Sequence, residues 1–286
     1  GPTSSTNALG ALDKAVRAGI VACSSTASAI ALDEFPDEGL FFRTIATDTL
    51  QARAIAESAQ QTGATRVVIV HIDDAYGRPY ADAIEADAAA FAEITTIAVA
   101  VTDTDLSDEV SALLEVDPQV AIVIGSGDDT VRFLEALGNR DFSGLSKVFV
   151  NDAARNSREF IAELPPRLRE RIQGVAPRIV ATADGANTIA APFDAQVRDC
   201  VNLIGLAALQ ARSDSPLLIA SQIASVSAGG QMCTSFADCA TRLDAGLQID
   251  YDGVAGPIDL GRNGDPARAT FDLFDKLGAN DEQLDF

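Results

Sequence analysis

Short apolar runs alternate with stretches of helical periodicity through the middle of this chain. The run TRVVIVHI is continuously apolar, which is typical of a parallel strand buried on both faces. The similar runs are ITTIAVAV, QVAIVIG, KVFVN and GVAPRIV. Helical spacing of apolar residues covers about 48–61, 76–91, 106–114, 128–138 and 157–164. This repeated β-α order predicts an α/β fold in which helices flank an open parallel sheet.

The pattern differs at both ends of this block. An amphipathic helix through Leu9 and Leu12 precedes two short predicted strands, GIVACSS and LFFRTIA. Pro165, Pro166 and the segment near Val180–Gly185 mark a shift, after which the chain becomes helical, and we expect no strands in this helical block after Val180. The predicted helices there cover about 193–211, 216–224 and 236–245, followed by a Gly-, Asp- and Pro-rich tail of turns and short strands.

Neither end segment forms a domain alone, so we expect the two to pack together. The predicted first lobe comprises residues 1–46 and 180–265, and the second comprises 47–179 and 266–286. A chain that crosses repeatedly between two α/β lobes leaves a cleft between them, where ligands commonly bind. The sequence therefore predicts two Rossmann-like lobes with a ligand cleft.

Charge narrows the classes of function. The 286 residues include 42 Asp and Glu against 21 Lys and Arg, for a formal net charge of −21. Nucleic-acid binding and attraction to an anionic membrane both require a basic surface, so neither is expected. No apolar run is long enough to span a bilayer. The expected partner is a small molecule.

Cysteine and histidine usage argues against a metal cofactor. The four cysteines lack CxxC or His-rich spacing, and His71 is the only histidine. In CTSFADC, Cys233 and Cys239 form either a local disulfide, which would indicate an oxidising compartment, or a pair of free thiols. We favour the disulfide, leave the pairing of Cys23 and Cys200 open, and expect no cofactor.

Polar residues follow the predicted strands at the sheet edge where ligands bind in open α/β folds. They are Ser24, Ser25, Thr26, Ser28, Asp73, Asp74, Tyr76, Ser126, Asn151 and Asp152, together with the hydroxyls of the opening GPTSST. Hydroxyls and helix N-termini suit a carboxylate, and acidic residues suit an ammonium, so the set fits a zwitterion. The alternative is that the Ser, Thr and Asp residues simply cap helices.

Several segments occur in the order typical of one family. They are GPTSST, GIVACSSTASAIAL, GLFFRTIATDTLQARAIAE, VVIVHIDDAYGRPYADAI, VAIVIGSGDD, DCVNLIGLAAL and IDYDGVAGPIDLGRNGDP. Over nearly its whole length the chain resembles type I periplasmic binding proteins, specifically the leucine/isoleucine/valine-binding branch that feeds ABC importers. The cysteines resemble those of the actinobacterial versions.

The resemblance implies a set of ligand contacts. Ser4, Ser5, Ala27 and Ser28 would hold a carboxylate through backbone N–H groups and a hydroxyl, and the family usually has Thr in place of Ser28. The ring of Tyr76 would close over the ligand. Asp152, with Ala153 as the competing match, would meet the amino group. Ser126 completes the candidate set, and the absence of an aromatic residue near Gly127 leaves the ligand open.

The resemblance also implies how the protein works. It is expected to be extracytoplasmic, either periplasmic or a cell-surface lipoprotein, to capture an amino acid such as a branched-chain one, and to deliver it to ABC permease subunits without catalysis. Because the family has three strands and two helices before its GPTSST counterpart, lobe one is expected to be incomplete here, unless this is a naturally short variant.

Two other functions fit the residues. The same fold could serve as an extracytoplasmic ligand-sensing receptor domain that signals instead of delivering its ligand. The third hypothesis is an α/β enzyme. It would use Asp73 and Asp74 to hold Mg²⁺ for phosphoryl chemistry, and it predicts metal-dependent turnover.

Overall fold

The computed structural model describes residues 1, 4–178, 193–253, 256–274 and 282–285. The side chains of 156, 158 and 282–285 are not described. Pro2 and Thr3 of GPTSST, the lobe boundary at 179–180 and residues 275–281 of the expected second lobe therefore lie outside the described residues.

Helices and strands occupy most of the described chain. The α-helices are α1 (Ser5–Arg17), α2 (Asp48–Gln61), α3 (Gly77–Ala88), α4 (Ser107–Val116), α5 (Gly127–Gly138), α6 (Arg158–Glu163), α7 (Pro166–Arg169), α8 (Asp194–Ala211), α9 (Pro216–Val226) and α10 (Phe236–Asp244). The strands are β1 (Ala22–Ser24), β2 (Phe41–Arg43), β3 (Arg66–Ile72), β4 (Glu93–Val99), β5 (Val120–Ile124), β6 (Lys147–Val150), β7 (Ile172–Pro177), β8 (Gln231–Cys233), β9 (Ile249–Tyr251), β10 (Thr270–Phe274) and β11 (Glu282–Asp285). Short 3₁₀ segments cover Ile30–Leu32 and Asp152–Ser157.

The chain divides into two compact units. Unit 1 comprises Gly1–Thr47 and Arg178–Thr270, with the single residue Asp285. Unit 2 comprises Asp48–Pro177 and Phe271–Leu284. Each unit has its own hydrophobic core.

Unit 2 contains a seven-stranded sheet in the order β11-β10-β7-β6-β5-β3-β4. The five strands from β7 to β4 are parallel, which confirms the α/β class predicted from the buried apolar runs. The sheet becomes antiparallel at β10, where Phe274 pairs with Gly174. A Cβ on Gly174 would lie 1.9 Å from Cζ of Phe274, so glycine is needed for this close approach.

Unit 1 contains two parallel strand pairs, β1 with β2 and β8 with β9. The expectation that the helical block after 180 lacks strands was wrong, because β8 lies within it. Strands of three residues are too short to show a two-residue periodicity, so no apolar pattern revealed β8.

Two disulfides lie in unit 1. Cys233 is bonded to Cys239, with a Cα–Cα distance of 5.4 Å, and Cys23 is bonded to Cys200, with a Cα–Cα distance of 5.7 Å. The second bond joins β1 to α8 across 177 residues of sequence. All four sulfurs belong to the apolar core that also includes Leu203 and Tyr251.

Candidate functional site

The first candidate loop leads into helix α1. Ser4 is its N-cap, with extended backbone angles, and its Oγ accepts the N–H of Asn7 at 3.1 Å. The hydroxyl keeps its own proton, so Ser4 can still donate to a ligand. The first N–H groups of a helix have no intrahelical partner and carry partial positive charge, so this end of α1 favours an anion.

The second candidate loop follows β1 and is tied to the first. The Oγ of Ser5 accepts the N–H of Ala29 at 3.1 Å, although the two residues are 24 positions apart. The Oγ of Ser24 accepts the N–H of Ala27 at 3.0 Å, so this N–H group, expected to bind a carboxylate, is occupied within the chain. Ser28 is a buried residue of the same loop.

A fully buried arginine positions the second loop. The guanidinium of Arg43 pairs with both carboxylate oxygens of Asp265 at 2.6 Å and with Asp33 at 2.6 Å. Its Nη1 also donates to the carbonyls of Ala27 at 3.4 Å and Ala29 at 3.1 Å. Burial lowers the pKa of Arg43, but the hydrogen bonds that Arg43 donates to Asp265 and Asp33, with their charges, outweigh burial and raise this pKa above its usual value. A charged anchor therefore fixes the loop backbone.

In unit 2, Tyr76 lies at the N-terminus of α3. Asp74 Oδ1 accepts the N–H groups of Tyr76 at 2.9 Å and Gly77 at 2.8 Å, which fixes the turn after β3. The Tyr76 ring is half-buried and packs edge-on against Tyr80, with ring centroids 5.8 Å apart. Burial, with Asp48 and Asp152 nearby, raises the pKa of Tyr76 well above its usual value, so the phenol stays protonated.

The residues after β6 form the acceptor group of unit 2. Asn151 is fully buried, and its Nδ2 donates to the Tyr76 phenol oxygen at 3.0 Å and to the Gly125 carbonyl at 3.1 Å. Asp152 is nine-tenths buried. Among the described residues, neither Oδ1 of Asn151 nor Oδ1 of Asp152 has a hydrogen-bond partner.

The environment of Asp152 disfavours its charged form. Burial raises the pKa of Asp152 to about 6, while the Gln51 amide, the N–H of Ala153 and the charge of Arg155 oppose the rise. Gln51 is itself fixed by donating to the Val175 carbonyl at 2.6 Å. The carboxyl is therefore held in place, mostly ionised near neutral pH, and in need of a donor.

Other candidate residues are engaged in local structure. Ser126 is the exposed N-cap of α5, and its hydroxyl donates to the Asp129 carboxylate at 2.6 Å. Asp73 forms an exposed ion pair with Arg78, which lowers the pKa of Asp73, and Asp74 caps α3. No cluster of three or more His, Cys, Asp or Glu side chains able to hold a metal occurs in the part of the chain that is described. The Mg²⁺ hypothesis for Asp73 and Asp74 therefore has no support from their geometry.

Three further residues lie around Tyr76 and Asp152 that were not among the ligand contacts predicted from the sequence. Gln51, Tyr80 and Asn151 join Tyr76 and Asp152, and Tyr80 is fully buried with a hydroxyl that has no hydrogen-bond partner among the described residues. Asn151 was visible as a polar residue directly after an apolar strand. Gln51 and Tyr80 lie within helices, where nothing in the apolar pattern distinguishes them from ordinary buried positions.

The loops of unit 1 carry hydrogen-bond donors and the loops of unit 2 carry unfilled acceptors, and both are groups suited to binding a small polar molecule. A family comparison agrees: the profile of the Periplasmic binding protein family matches residues 1–187, and the chain belongs to this family. This is a family of extracytoplasmic solute-binding proteins.

A curated relative has a signalling role. The chain is 26% identical over 262 residues to the chemotactic signal transduction system substrate-binding protein BasB of Halobacterium salinarum. The match covers 84% of this chain and 60% of BasB, so the chain spans less than two thirds of the length of that relative.

Solved structures show the same fold at low identity. The leucine-binding protein LivK of Thermotoga maritima matches with a TM-score of 0.80 at 15% identity, over 99% of this chain and 77% of LivK. LivJ of Streptococcus pneumoniae, in complex with isoleucine, has a TM-score of 0.73 at 17% identity, over 100% and 78% of the two chains. A solute-binding protein of R. palustris, in complex with benzoate, has a TM-score of 0.72 at 16% identity, over 97% and 73%.

The described residues contain no helix that combines the length and apolar character needed to cross a membrane.

Proposed function

We propose that this chain is an extracytoplasmic solute-binding protein that captures a small ligand with both a carboxylate and an ammonium group, most simply an amino acid. The carboxylate is assigned to the unit 1 loops of Ser4, Ser5 and Ser28, and the ammonium to Asp152 and Tyr76 of unit 2. The family supports a binding role, and the division of donors and acceptors supports the zwitterion.

The observation that best supports an amino-acid ligand is the buried Oδ1 of Asp152, which has no hydrogen-bond partner among the described residues. A buried carboxylate oxygen that lacks a donor is costly, so a ligand that supplies a cationic N–H group to Oδ1 gains free energy there. Benzoate, the ligand of the R. palustris neighbour, has no such group, whereas the isoleucine of the LivJ neighbour does. Asp152 therefore favours an amino acid over an aromatic acid.

Delivery to ABC permease subunits completes the proposal. LivJ is named as the substrate binding protein of a branched-chain amino acid transporter and LivK as a leucine binding protein, and a closed, ligand-bound shape is a natural signal for a permease. We propose a branched-chain amino acid as the first ligand to test, a non-enzymatic role, and location outside the cytoplasm, with or without a lipid anchor. Oxidising conditions there would preserve both disulfides.

A thermal-shift screen tests this function. The standard L-amino acids, benzoate and MgATP are each added to the purified chain and to Asp152→Asn. We expect one or a few amino acids to raise the melting temperature of the unaltered chain and to have much less effect on Asp152→Asn. A shift with benzoate alone, or turnover of MgATP, would contradict the proposal.

Sensing is the second candidate, and the name of BasB is the observation that favours it. A receptor domain would bind the same ligand, so binding data do not separate the two functions. Deleting the gene and measuring uptake of the labelled ligand does: loss of uptake indicates transport, whereas normal uptake with loss of the ligand response indicates sensing.

A further inference from the structure

The side-chain amide of Asn151 has a fixed orientation. The carbonyl of Gly125 can only accept a hydrogen bond, so the group that faces it at 3.1 Å must be the NH₂ of Asn151. The second N–H of that NH₂ group donates to the phenol oxygen of Tyr76 at 3.0 Å. Both donors are used, and the Oδ1 atom cannot exchange places with Nδ2 without losing the bond to the Gly125 carbonyl.

The remaining atom of this amide is an acceptor without a donor. Oδ1 of Asn151 is buried and has no hydrogen-bond partner among the described residues, and the same holds for Oδ1 of the adjacent Asp152. Burying an acceptor in this way costs free energy unless something donates to it. Two neighbouring residues thus present unfilled acceptors next to the same tyrosine, one of them neutral and one ionisable.

We propose that Asn151 is a specificity-determining residue, whose Oδ1 accepts a second hydrogen bond from the ligand ammonium while Asp152 accepts the first. This inference rests on the proposed function. A primary ammonium has three N–H donors and can fill both acceptors, whereas a tertiary ammonium has one, which the charged Asp152 takes. The site therefore selects primary amines over N-alkylated amines of equal charge.

The test compares L-leucine with N,N-dimethyl-L-leucine, which keeps the carboxylate, side chain and positive charge but has a single N–H. Calorimetry gives the dissociation constant of each, and their ratio is the amine selectivity. The two ligands carry the same charge, and the change in this ratio between variants is read against the matched control, so that it reports the hydrogen bond to Asn151. The amine-free analogue 4-methylpentanoate completes the set.

For the unaltered chain we expect leucine to bind at least about tenfold more tightly than its dimethyl analogue. Asn151→Leu should weaken leucine about tenfold and dimethylleucine by less than about twofold, so that the selectivity falls about tenfold. The matched control is Asn202→Leu, because Asn202 also donates to a tyrosine, Tyr251, at 2.7 Å, but belongs to unit 1 and is not a member of the acceptor group. Its selectivity should stay within about twofold of the unaltered value.

Asn151→Asp provides a second, independent readout, because it keeps an acceptor at Oδ1 while replacing the NH₂ group. We expect its selectivity to equal or exceed that of the unaltered chain, whether or not Asn151→Leu folds. An unchanged selectivity in Asn151→Leu, a loss in Asn151→Asp, or a ratio near one in the unaltered chain each overturns this inference and leaves amino-acid binding intact. If 4-methylpentanoate binds as tightly as leucine, or none of the three probes binds, the proposed function fails and the inference fails with it.

Discussion

The hydroxyl of Ser5 accepts the backbone N–H of Ala29 at 3.1 Å, and so joins the first turn of α1 to the loop after β1. Both ends of this bond lie beside residues assigned to the ligand carboxylate. Ser5→Ala leaves the N–H of Ala29 without this partner, and we expect a loss of about 1 kcal/mol in the free energy of unfolding. Ligand affinity should fall severalfold as well, measured by calorimetry.

Ser235→Ala is the matched control for that change. Ser235 is the N-cap of α10 and accepts the N–H of Asp238 at 3.3 Å, outside the candidate loops. Its loss should cost about 1 kcal/mol of stability without affecting ligand affinity. Equal affinity losses in the two variants would argue against a role for the Ser5–Ala29 bond in binding.

Arg43 gives a prediction about stability. Arg43→Met keeps much of the side-chain volume but leaves the buried carboxylate of Asp265 without its cation, and we expect a loss of about 3–5 kcal/mol in the free energy of unfolding. Arg17→Met removes an exposed ion pair with Asp13 and should cost less than about 0.5 kcal/mol. Denaturant unfolding measures both values. Similar small losses in the two variants would contradict the structural role of Arg43.

Asp152 makes stability depend on pH. Its pKa is about 6 in the folded chain against an ordinary value of 3.8, so the folded state binds the extra proton between these two pH values. Stability should therefore be greatest below about pH 4 with respect to this group and fall by up to about 3 kcal/mol as the pH rises through 6. Asp152→Asn should remove this component. Denaturant unfolding of both proteins at about pH 4.5 and about pH 7 measures it: the free energy of unfolding should fall more between these pH values in the unaltered chain than in Asp152→Asn.

Ligand affinity should change with pH in the opposite direction. An ammonium binds the ionised form of Asp152, so affinity is full above about pH 6 and falls up to about tenfold per unit below it. Calorimetry with leucine between about pH 4.5 and 7.5 measures this slope. A flat profile would show that the carboxylate of Asp152 does not bind the ammonium.

The two disulfides should differ in their contribution to stability. Cys23–Cys200 closes a loop of 177 residues and Cys233–Cys239 a loop of 6. Chain entropy gives about 5 kcal/mol for the first and about 2 kcal/mol for the second. We therefore expect the double Ala variant of Cys23 and Cys200 to unfold at a clearly lower denaturant concentration than that of Cys233 and Cys239. The reverse order would contradict the entropic account.

The sequence predicts the architecture of unit 2 well, because long elements carry a repeated signal. The helical spacing from Asp48 to Gln61 gave both ends of α2, and the apolar run at Arg66–Ile72 gave β3. The three-residue strand β8 and the partner of Cys23 were not predicted. A strand that short has no periodicity, and a disulfide partner 177 residues away depends on the tertiary fold.

The candidate site was predictable only in outline. Strand ends pointed to Tyr76 and Asp152, but which polar atoms lack partners depends on three-dimensional neighbours. Ala27 illustrates this, because its N–H is taken by Ser24. Asn151 shows the opposite case. Its NH₂ group donates to the Gly125 carbonyl, and its Oδ1 is left without a hydrogen-bond partner among the described residues.

The central claim is that the ligand is recognised by its ammonium as well as its carboxylate. The most direct measurement is calorimetric titration of the unaltered chain with L-leucine and with 4-methylpentanoate, which differ only in the amino group. The account predicts that leucine binds at least about tenfold more tightly, since a charged hydrogen bond to Asp152 is lost without the amine. Equal binding of the two, or tighter binding of 4-methylpentanoate, would contradict it.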